Sequence, residues 1–194
     1  DRLSNGRGIV TTDVGQHQMW AAQFIRFNEP RLWINSGGLG SMGFGLPAAM
    51  GAAVACPDRL VFSIVGDGGF QMSLPELATL VSNQIPVKIV IMNNGYLGMV
   101  RQWQHLFYNN RLCSVDLDCF PDAATLAAAY GFKGRTIEKP EDLRPALEEA
   151  VNTPGPYLLN VKVSPHENVY PMVPAGASLQ EMVVNAPQPE VVPV

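Results

Sequence analysis

The stretch Leu60-Val61-Phe62-Ser63-Ile64-Val65-Gly66-Asp67-Gly68-Gly69-Phe70 decides the architecture of this chain. Six residues, nearly all apolar, run straight into a glycine, a carboxylate and two more glycines. Unbroken apolarity over that length, without polar alternation, marks a strand buried on both faces. The glycines end the strand, and helical spacing follows. The same grammar returns in Val87-Lys88-Ile89-Val90-Ile91-Met92, which ends in Asn93-Asn94-Gly95-Tyr96.

Outward from these two units, strands are expected over Gly8–Asp13, Leu32–Asn35, Phe132–Ile137 and Tyr157–Val163. Helical spacing covers His17–Phe27, residues 97–107, 122–130 and 141–152, the last with its start obscured by Pro145. A helix is also expected from about Ser73, which could form a capping box with Glu76. Gly43–Cys56 is small and apolar all round and reads as a deeply buried helix. Strands alternating with helices make this an α/β chain, with a parallel sheet of about six strands flanked by helices on both faces. Ligands of such sheets bind beyond the carboxyl ends of the strands. The unusual residues do follow strands directly, at Asp13-Val14-Gly15, Asn35 to Gly45, Gly66 to Gly69 and Asn93 to Gly95.

Composition removes several function classes. The 194 residues carry 13 Lys plus Arg against 17 Asp plus Glu, a net charge of −4, so no basic face for nucleic acid is expected. No apolar run approaches the ~20 residues of a membrane span. No basic segment followed by an apolar one opens the chain, so no signal peptide is read. The length suits one domain. Charged residues make up only 15%, below the usual ~25%, which suggests a surface covered by something other than water. Cys56, Cys113 and Cys119 form no CxxC pair and read as buried reduced thiols of a reducing compartment. His17, His105 and His166 are too scattered for a zinc reading. From His166 onward the chain is rich in proline (171, 174, 187, 189 and 193, with 165 just before) and reads as an arm or lid, its last ten residues mobile.

The chemistry lies in the two glycine-flanked turns. Glycines let backbone N–H groups approach an anion, and a helix N-terminus adds partial positive charge. An aspartate in that place repels a phosphate unless a cation lies between them. Asp67 therefore asks for a divalent metal bridging to a phosphate, although Gly66-Asp67-Gly68 would also serve as a strand-to-helix turn capped by Asp67. Asn94 follows 27 residues later, room for one helix and one strand, so Asp67 and Asn94 are expected on adjacent strand ends. A carboxylate, an amide oxygen and a main-chain carbonyl suit Mg²⁺, which keeps phosphate and water as its other ligands. Asn93-Asn94-Gly95 would alternatively be a plain turn.

Gly66-Asp67-Gly68 with Asn93-Asn94 resembles the cofactor signature of thiamin-diphosphate enzymes. Thr12-Asp13-Val14-Gly15-Gln16-His17-Gln18-Met19-Trp20, Ser36-Gly37-Gly38-Leu39-Gly40-Ser41-Met42-Gly43 and Gly98-Met99-Val100-Arg101-Gln102-Trp103-Gln104 resemble the catalytic subunit of acetohydroxyacid synthases, also called acetolactate synthases. The resemblance covers about residues 1–180 and is to the carboxy-terminal, diphosphate-binding third of that subunit. It implies that Asp67, Asn94 and the main-chain oxygen of Tyr96 hold Mg²⁺. It places Val14, Gly15, Gln16, His17, Gly66, Gly68, Gly69, Gly98 and Met99 around the diphosphate. Gly40 and Met42 would face the aminopyrimidine, with Met42 as a wedge that bends the cofactor into a V. Met99, Val100 and Trp103 would border the substrate pocket, where the Trp103 indole could favour 2-oxobutanoate as acceptor over pyruvate by an effect of order 1–3 kcal/mol.

The resemblance also implies what the chain lacks. The glutamate that activates the aminopyrimidine belongs to a pyrimidine-binding domain of a partner subunit, and FAD to a central domain. No catalytic residue of that kind is expected here, since Glu76 follows the metal loop and Glu29, Glu148 and Glu149 read as surface positions. Residues 1–180 then form the cofactor domain of a longer three-domain chain, with 181–194 a flexible tail, and the chain alone would have little turnover. The parent would be a homo-oligomer of the cytoplasm, or of a plastid or mitochondrion in a eukaryote, and could carry a small regulatory subunit. It would decarboxylate pyruvate and join the two-carbon unit to a second 2-oxo acid in branched-chain amino acid synthesis. Pyruvate oxidase, glyoxylate carboligase and simple 2-oxo acid decarboxylases keep the cofactor and change the reaction; residues 98–104 match the synthase pattern. A non-catalytic binding or assembly module is the alternative from another class. An unrelated nucleotide-binding domain is disfavoured by the lack of a Walker or strand-linked GxGxxG motif.

Overall fold

Six short strands carry the chain's most apolar residues: β1 (Ile9–Thr12), β2 (Trp33–Asn35), β3 (Val61–Gly66), β4 (Val87–Asn93), β5 (Lys133–Ile137) and β6 (Tyr157–Lys162). In this computed structural model, which describes residues 2–117 and 120–185, they form one parallel sheet in the order β2-β1-β3-β4-β6-β5. The expected sheet of about six parallel strands is therefore present. Among the described residues seven α-helices connect or flank the strands: α1 (Gln16–Phe24), α2 (Gly45–Ala55), α3 (Asp67–Met72), α4 (Glu76–Ser82), α5 (Gly98–Phe107), α6 (Ala123–Ala129) and α7 (Pro140–Asn152).

The order reverses at two places, at β1 and again where β6 returns between β4 and β5, and the first of these makes the site. From β1 the chain steps outward to β2, then returns to lay β3 on the other side of β1 and continue to β4. The loops after β1 and β3 consequently diverge and leave a crevice beyond their carboxyl ends, where α/β sheets bind ligands. The register pairs Thr12 with Ile64 and Gly66 with Met92, so the ends of β1, β3 and β4 face the same crevice.

Side chains alternate along the strands and build two layers. On one face Val61, Val65, Ile89, Ile91 and Leu158 pack against α2, α4 and α6 in a continuous core. On the other, Val90 and Met92 pack with Leu159, Val161 and α7. Between the end of α1 and α7 this second face leaves an apolar groove of about 650 Å³ floored by Phe62, Ile64, Val90 and Met92. Lys88, at the start of a central strand, is buried; its ammonium donates to the carbonyls of Thr153 and Gly155, both at 2.7 Å.

Several local expectations are corrected. α2 is not buried all round: Leu46, Ala49, Met50 and Ala53 face the core, while Pro47, Gly51 and Val54 are exposed. Its two faces differ in packing rather than polarity, which a hydropathy pattern does not register. The Ser73–Glu76 capping box does not form, because α3 starts directly at Asp67, and α4 begins at Glu76 after Pro75 with no side-chain cap. The Ser73 hydroxyl is buried without a partner. α7 takes Pro140 at its first turn and runs through Pro145. Cys113 is exposed and Cys56 half-buried, both as free thiols, contrary to the expected burial; Cys119 lies outside the described residues. In the expected tail, Glu181 ends a short 3₁₀ turn and Val183 bridges back to Met172, whereas residues 186–194 lie outside the described residues. Among the described residues no helix is long and apolar enough to cross a membrane.

Candidate cofactor and metal site

Three strand ends and the loop before α2 meet at one pocket. Val14, Gly15, Gln16 and His17 line it from the start of α1, Met42 from the loop before α2, Gly66 to Gly69 from the β3–α3 turn, and Asn94, Tyr96, Gly98, Met99 and Val100 from the β4–α5 turn. Residues spread over eighty-odd positions thus converge because parallel strands all point their carboxyl ends the same way.

The Asp67 carboxylate joins two of these turns. Its Oδ1 accepts from the Gly68 N–H at 2.9 Å and its Oδ2 from the Gly95 N–H at 2.8 Å. The adjacency expected of Asp67 and Asn94 is therefore present. Burial pushes the Asp67 pKa up, and the N–H groups of Gly95 and Gly68 pull it back. A buried carboxylate in that balance gains from a nearby cation. The Asn94 Oδ1 accepts from the Tyr96 N–H at 3.0 Å, and its amide nitrogen donates to Gln16.

On the β1 side, His17 is 7% exposed. Burial holds its imidazole down to about 4, against the opposing pull of a hydrogen bond to the Asp13 main chain. The ring is neutral at pH 7, and its Nε2 is buried without a partner. A buried polar atom left unpaired in a crevice is a place where a ligand atom belongs. Asp13 Oδ1 accepts from the Gly45 N–H at 3.0 Å, and the Thr11 hydroxyl donates to the Gly45 carbonyl at 2.7 Å, so the Met42 loop is fastened to the end of β1.

The glycines are there for space. A Cβ on Gly68 would lie 2.6 Å from Leu97 Cδ2 and 3.6 Å from Met42 Cε; one on Gly69 would overlap the Asp13 carboxylate. At Gly98 it would overlap the Gln16 side-chain oxygen. At Gly66, Gly68, Gly69 and Gly98 the turns present bare main chain to the pocket, as an anion cradle requires.

Two expected residues are not brought into this pocket. Gly40 sits on the exposed rim of its loop, where only Val14 Cγ1 would touch a Cβ, at 4.0 Å. Trp103 is half-buried outside it, its ring 5.4 Å from that of Phe107. Four lining residues were not anticipated: Trp20, Met92, Leu97 and Val163. Trp20 stands one helical turn beyond Gln16, a spacing that could have flagged it. Leu97 packs over Gly68, and nothing local in the sequence marks it.

An oxygen set of one carboxylate, one amide and main chain, beside a glycine cradle and an unpaired histidine nitrogen, fits a hard divalent cation holding a diphosphate. Clusters of three or more His, Cys, Asp or Glu able to hold a metal are absent among the described residues, so any metal here depends on this mixed set. The family described as "Thiamine pyrophosphate enzyme, C-terminal TPP binding domain" matches residues 13–161, a span that contains every turn of the pocket. The chain belongs to this family. Thiamin diphosphate (thiamine pyrophosphate) is accordingly the cofactor of this domain. This TPP-binding domain is 50% identical over 192 residues to acetolactate synthase 2, chloroplastic, of Brassica napus, matching 95% of the chain and 30% of the relative. It is 52% identical over 174 residues to the acetolactate synthase isozyme 2 large subunit of Escherichia coli K12, covering 90% of the chain and 32% of the relative. It is 52% identical over 183 residues to the acetolactate synthase large subunit of Parasynechococcus marenigrum, covering 94% and 30%. The chain thus spans about 30% of the length of these relatives.

Proposed function

We propose that this TPP-binding domain is the cofactor and Mg²⁺ domain of an acetolactate synthase. The observation that carries the reading is identity near 50% to acetolactate synthases from a plant and two bacteria, over at least nine-tenths of the chain, joined to a pocket of the right donors. The parent decarboxylates pyruvate and joins the two-carbon unit to pyruvate or 2-oxobutanoate, in a polypeptide about three times as long.

The bound cofactor would supply the nucleophilic carbon and the electron sink for decarboxylation. This chain's residues would bind and orient it. Asp67, the Asn94 amide oxygen and the Tyr96 carbonyl would hold Mg²⁺. Backbone N–H groups of the Gly66–Gly69 turn and the His17 Nε2 would meet the diphosphate, with Val14, Gly15, Gly98 and Met99 closing around it. Met42 would press under the cofactor's middle, and Gly40 would present main chain from the loop rim. Val100 and Trp103, further along α5, would form the outer wall that meets the second 2-oxo acid. Asp67 is the one carboxylate among the residues lining the pocket, and it is committed to the cation. The likeness to acetolactate synthases assigns proton transfer at the aminopyrimidine to a glutamate from a pyrimidine-binding domain of a partner subunit. FAD would belong to a further domain of the parent, and a small regulatory subunit to the assembly.

Calorimetry of thiamin diphosphate with and without Mg²⁺ tests the reading. Binding to the chain should require Mg²⁺ and disappear in Asp67→Ala; metal-independent binding that survives this substitution would refute it. Pyruvate turnover by the chain alone should be negligible, and acetolactate formation at the rate of full-length relatives would refute the need for a partner domain.

A further inference from the structure

A line of side-chain amides runs from the metal turn into the carboxy-terminal arm. Asn94 Nδ2 donates to Gln16 Oε1 at 3.1 Å. Gln16 Nε2 donates to Gln102 Oε1 and to the Glu167 carbonyl, both at 2.9 Å. Gln102 Oε1 accepts also from the Val169 N–H at 2.7 Å, while its Nε2 donates to the Val169 carbonyl at 3.0 Å and the Met172 sulfur at 3.1 Å. Gln102 is fully buried and Gln16 is 3% exposed.

An amide can be turned end for end, so its oxygen must be assigned from its partners. Here main-chain groups, which cannot be swapped, make the assignment. The Val169 N–H demands an oxygen and the Val169 carbonyl demands an N–H, which sets Gln102. Gln102 Oε1 and the Glu167 carbonyl then both demand the nitrogen of Gln16, so its oxygen faces Asn94. Asn94 must answer with its nitrogen, and its oxygen is left on the side of the Tyr96 N–H and the β3–β4 turns. Turning any one amide would set oxygen against oxygen in buried surroundings, at the cost of unpaired polar groups. Gly98 belongs to the same arrangement, since a Cβ there would overlap Gln16 Oε1 and lie 2.6 Å from Asn94 Nδ2.

We propose that Gln102 is a positioning residue that acts through Gln16: the 167–172 arm, held by Gln102, fixes the Asn94 amide with its oxygen toward the Asp67 cation site. The proposal rests on the metal reading above and assigns Gln16 an orienting task distinct from diphosphate contact. It also makes the arm part of the metal site, although no residue of 167–172 lines the pocket.

The test uses Mn²⁺ as probe, with free Mn²⁺ followed by electron paramagnetic resonance in the presence of excess thiamin diphosphate. Gln102→Met keeps the volume and removes the hydrogen bonds; it should weaken Mn²⁺ binding about tenfold. Asn94→Asp presents an oxygen whichever way it turns but sets it against the Gln16 oxygen that Gln102 holds in place, so in that background Gln102→Met should leave Mn²⁺ affinity unchanged or raise it. A general loosening of the fold would instead weaken binding equally in both backgrounds, and that result overturns the proposal, as does an unaltered affinity in Gln102→Met alone. If Gln102→Met does not fold, as judged by circular dichroism, Gln16→Met cuts the line one link nearer the metal and carries the same cycle. Loss of Mn²⁺ binding in Asp67→Ala identifies the metal reading separately. Its persistence there, or its absence from the unsubstituted chain, would overturn that reading and this proposal together.

Discussion

The middles and the ends of β3 and β4 follow opposite rules. In the middles, Val61, Val65, Ile89 and Ile91 are at most 1% exposed and surrounded by other apolar side chains. On the neighbouring turns, Asp13 and His17 are nearly as hidden but carry side-chain atoms, Asp13 Oδ2 and His17 Nε2, that find no partner in the chain. The same strand-and-turn units thus hold an apolar core, interrupted by the buried Ser63 hydroxyl, and border a crevice with polar atoms that the chain leaves unpaired. The core should answer to substitution with lost stability alone, whereas the site should answer with changed dependence on pH, ligand and space.

The largest effect belongs to the core. Ile89→Ala removes a fully buried side chain between α2 and the sheet and should destabilise by about 2–5 kcal/mol. Urea denaturation measures this, and the loss should not vary with pH between 5 and 8.

The site should behave otherwise. His17 has its folded pKa lowered from 6.5 to about 4 by burial, so the folded state binds fewer protons than the unfolded chain in that interval. Its contribution is fully present above about pH 6.5 and is lost as pH falls to about 4. The shift corresponds to about 3 kcal/mol. Asp13 and Asp67 act in the opposite sense: their raised values favour the folded state at low pH and lose that contribution as pH rises. Subtracting the stability–pH curve of His17→Gln from that of the unsubstituted protein isolates the histidine. A flat difference between pH 4 and 6.5 would show that the ring is not held neutral by burial.

Space at the site gives a smaller effect. Gly69→Ala drives a methyl group against the Asp13 carboxylate and should cost about 1–3 kcal/mol. Combining it with Asp13→Gly should recover most of that loss in thermal unfolding, because the two groups occupy the same volume. At the bottom of the scale, Arg144 pairs with Glu148 one turn along α7 while its own side chain is largely exposed. Arg144→Ala should change stability by no more than about 0.5 kcal/mol, screened further by salt. A larger change would mean that α7, beside the open groove of the second face, depends on its surface more than the other helices do.

Much of this contrast was readable before the fold was known. The β3 and β4 units were marked by unbroken apolar runs ending in glycine and asparagine, and their helices by spacing. What failed was local and has physical causes. The expected Ser73 cap ignored that Gly68 and Gly69 allow a helix to start at Asp67, with Pro75 forcing a second start. The expected burial of α2 treated small apolar residues as interior, although Pro47, Gly51 and Val54 lie on its outer face. Apart from these failures, Trp103 shares a helix with Met99 but stands outside the pocket lining with its indole on Phe107, a placement that spacing along one helix does not fix.

By itself the amino-acid sequence determined the α/β alternation, the turns that carry chemistry and the kind of ligand they suit. These depend on residue type and short spacing, and backbone conformation responds to both directly. Only the tertiary structure decided that β3 lies between β1 and β4, which brings His17 beside Gly66 and the Met42 loop over Gly68. It alone placed Glu167, Val169 and Met172 on Gln16 and Gln102, across as many as 151 positions. Contacts at such separation arise from how the layers stack, and hydrogen bonds between amides leave no pattern in the sequence that could announce them.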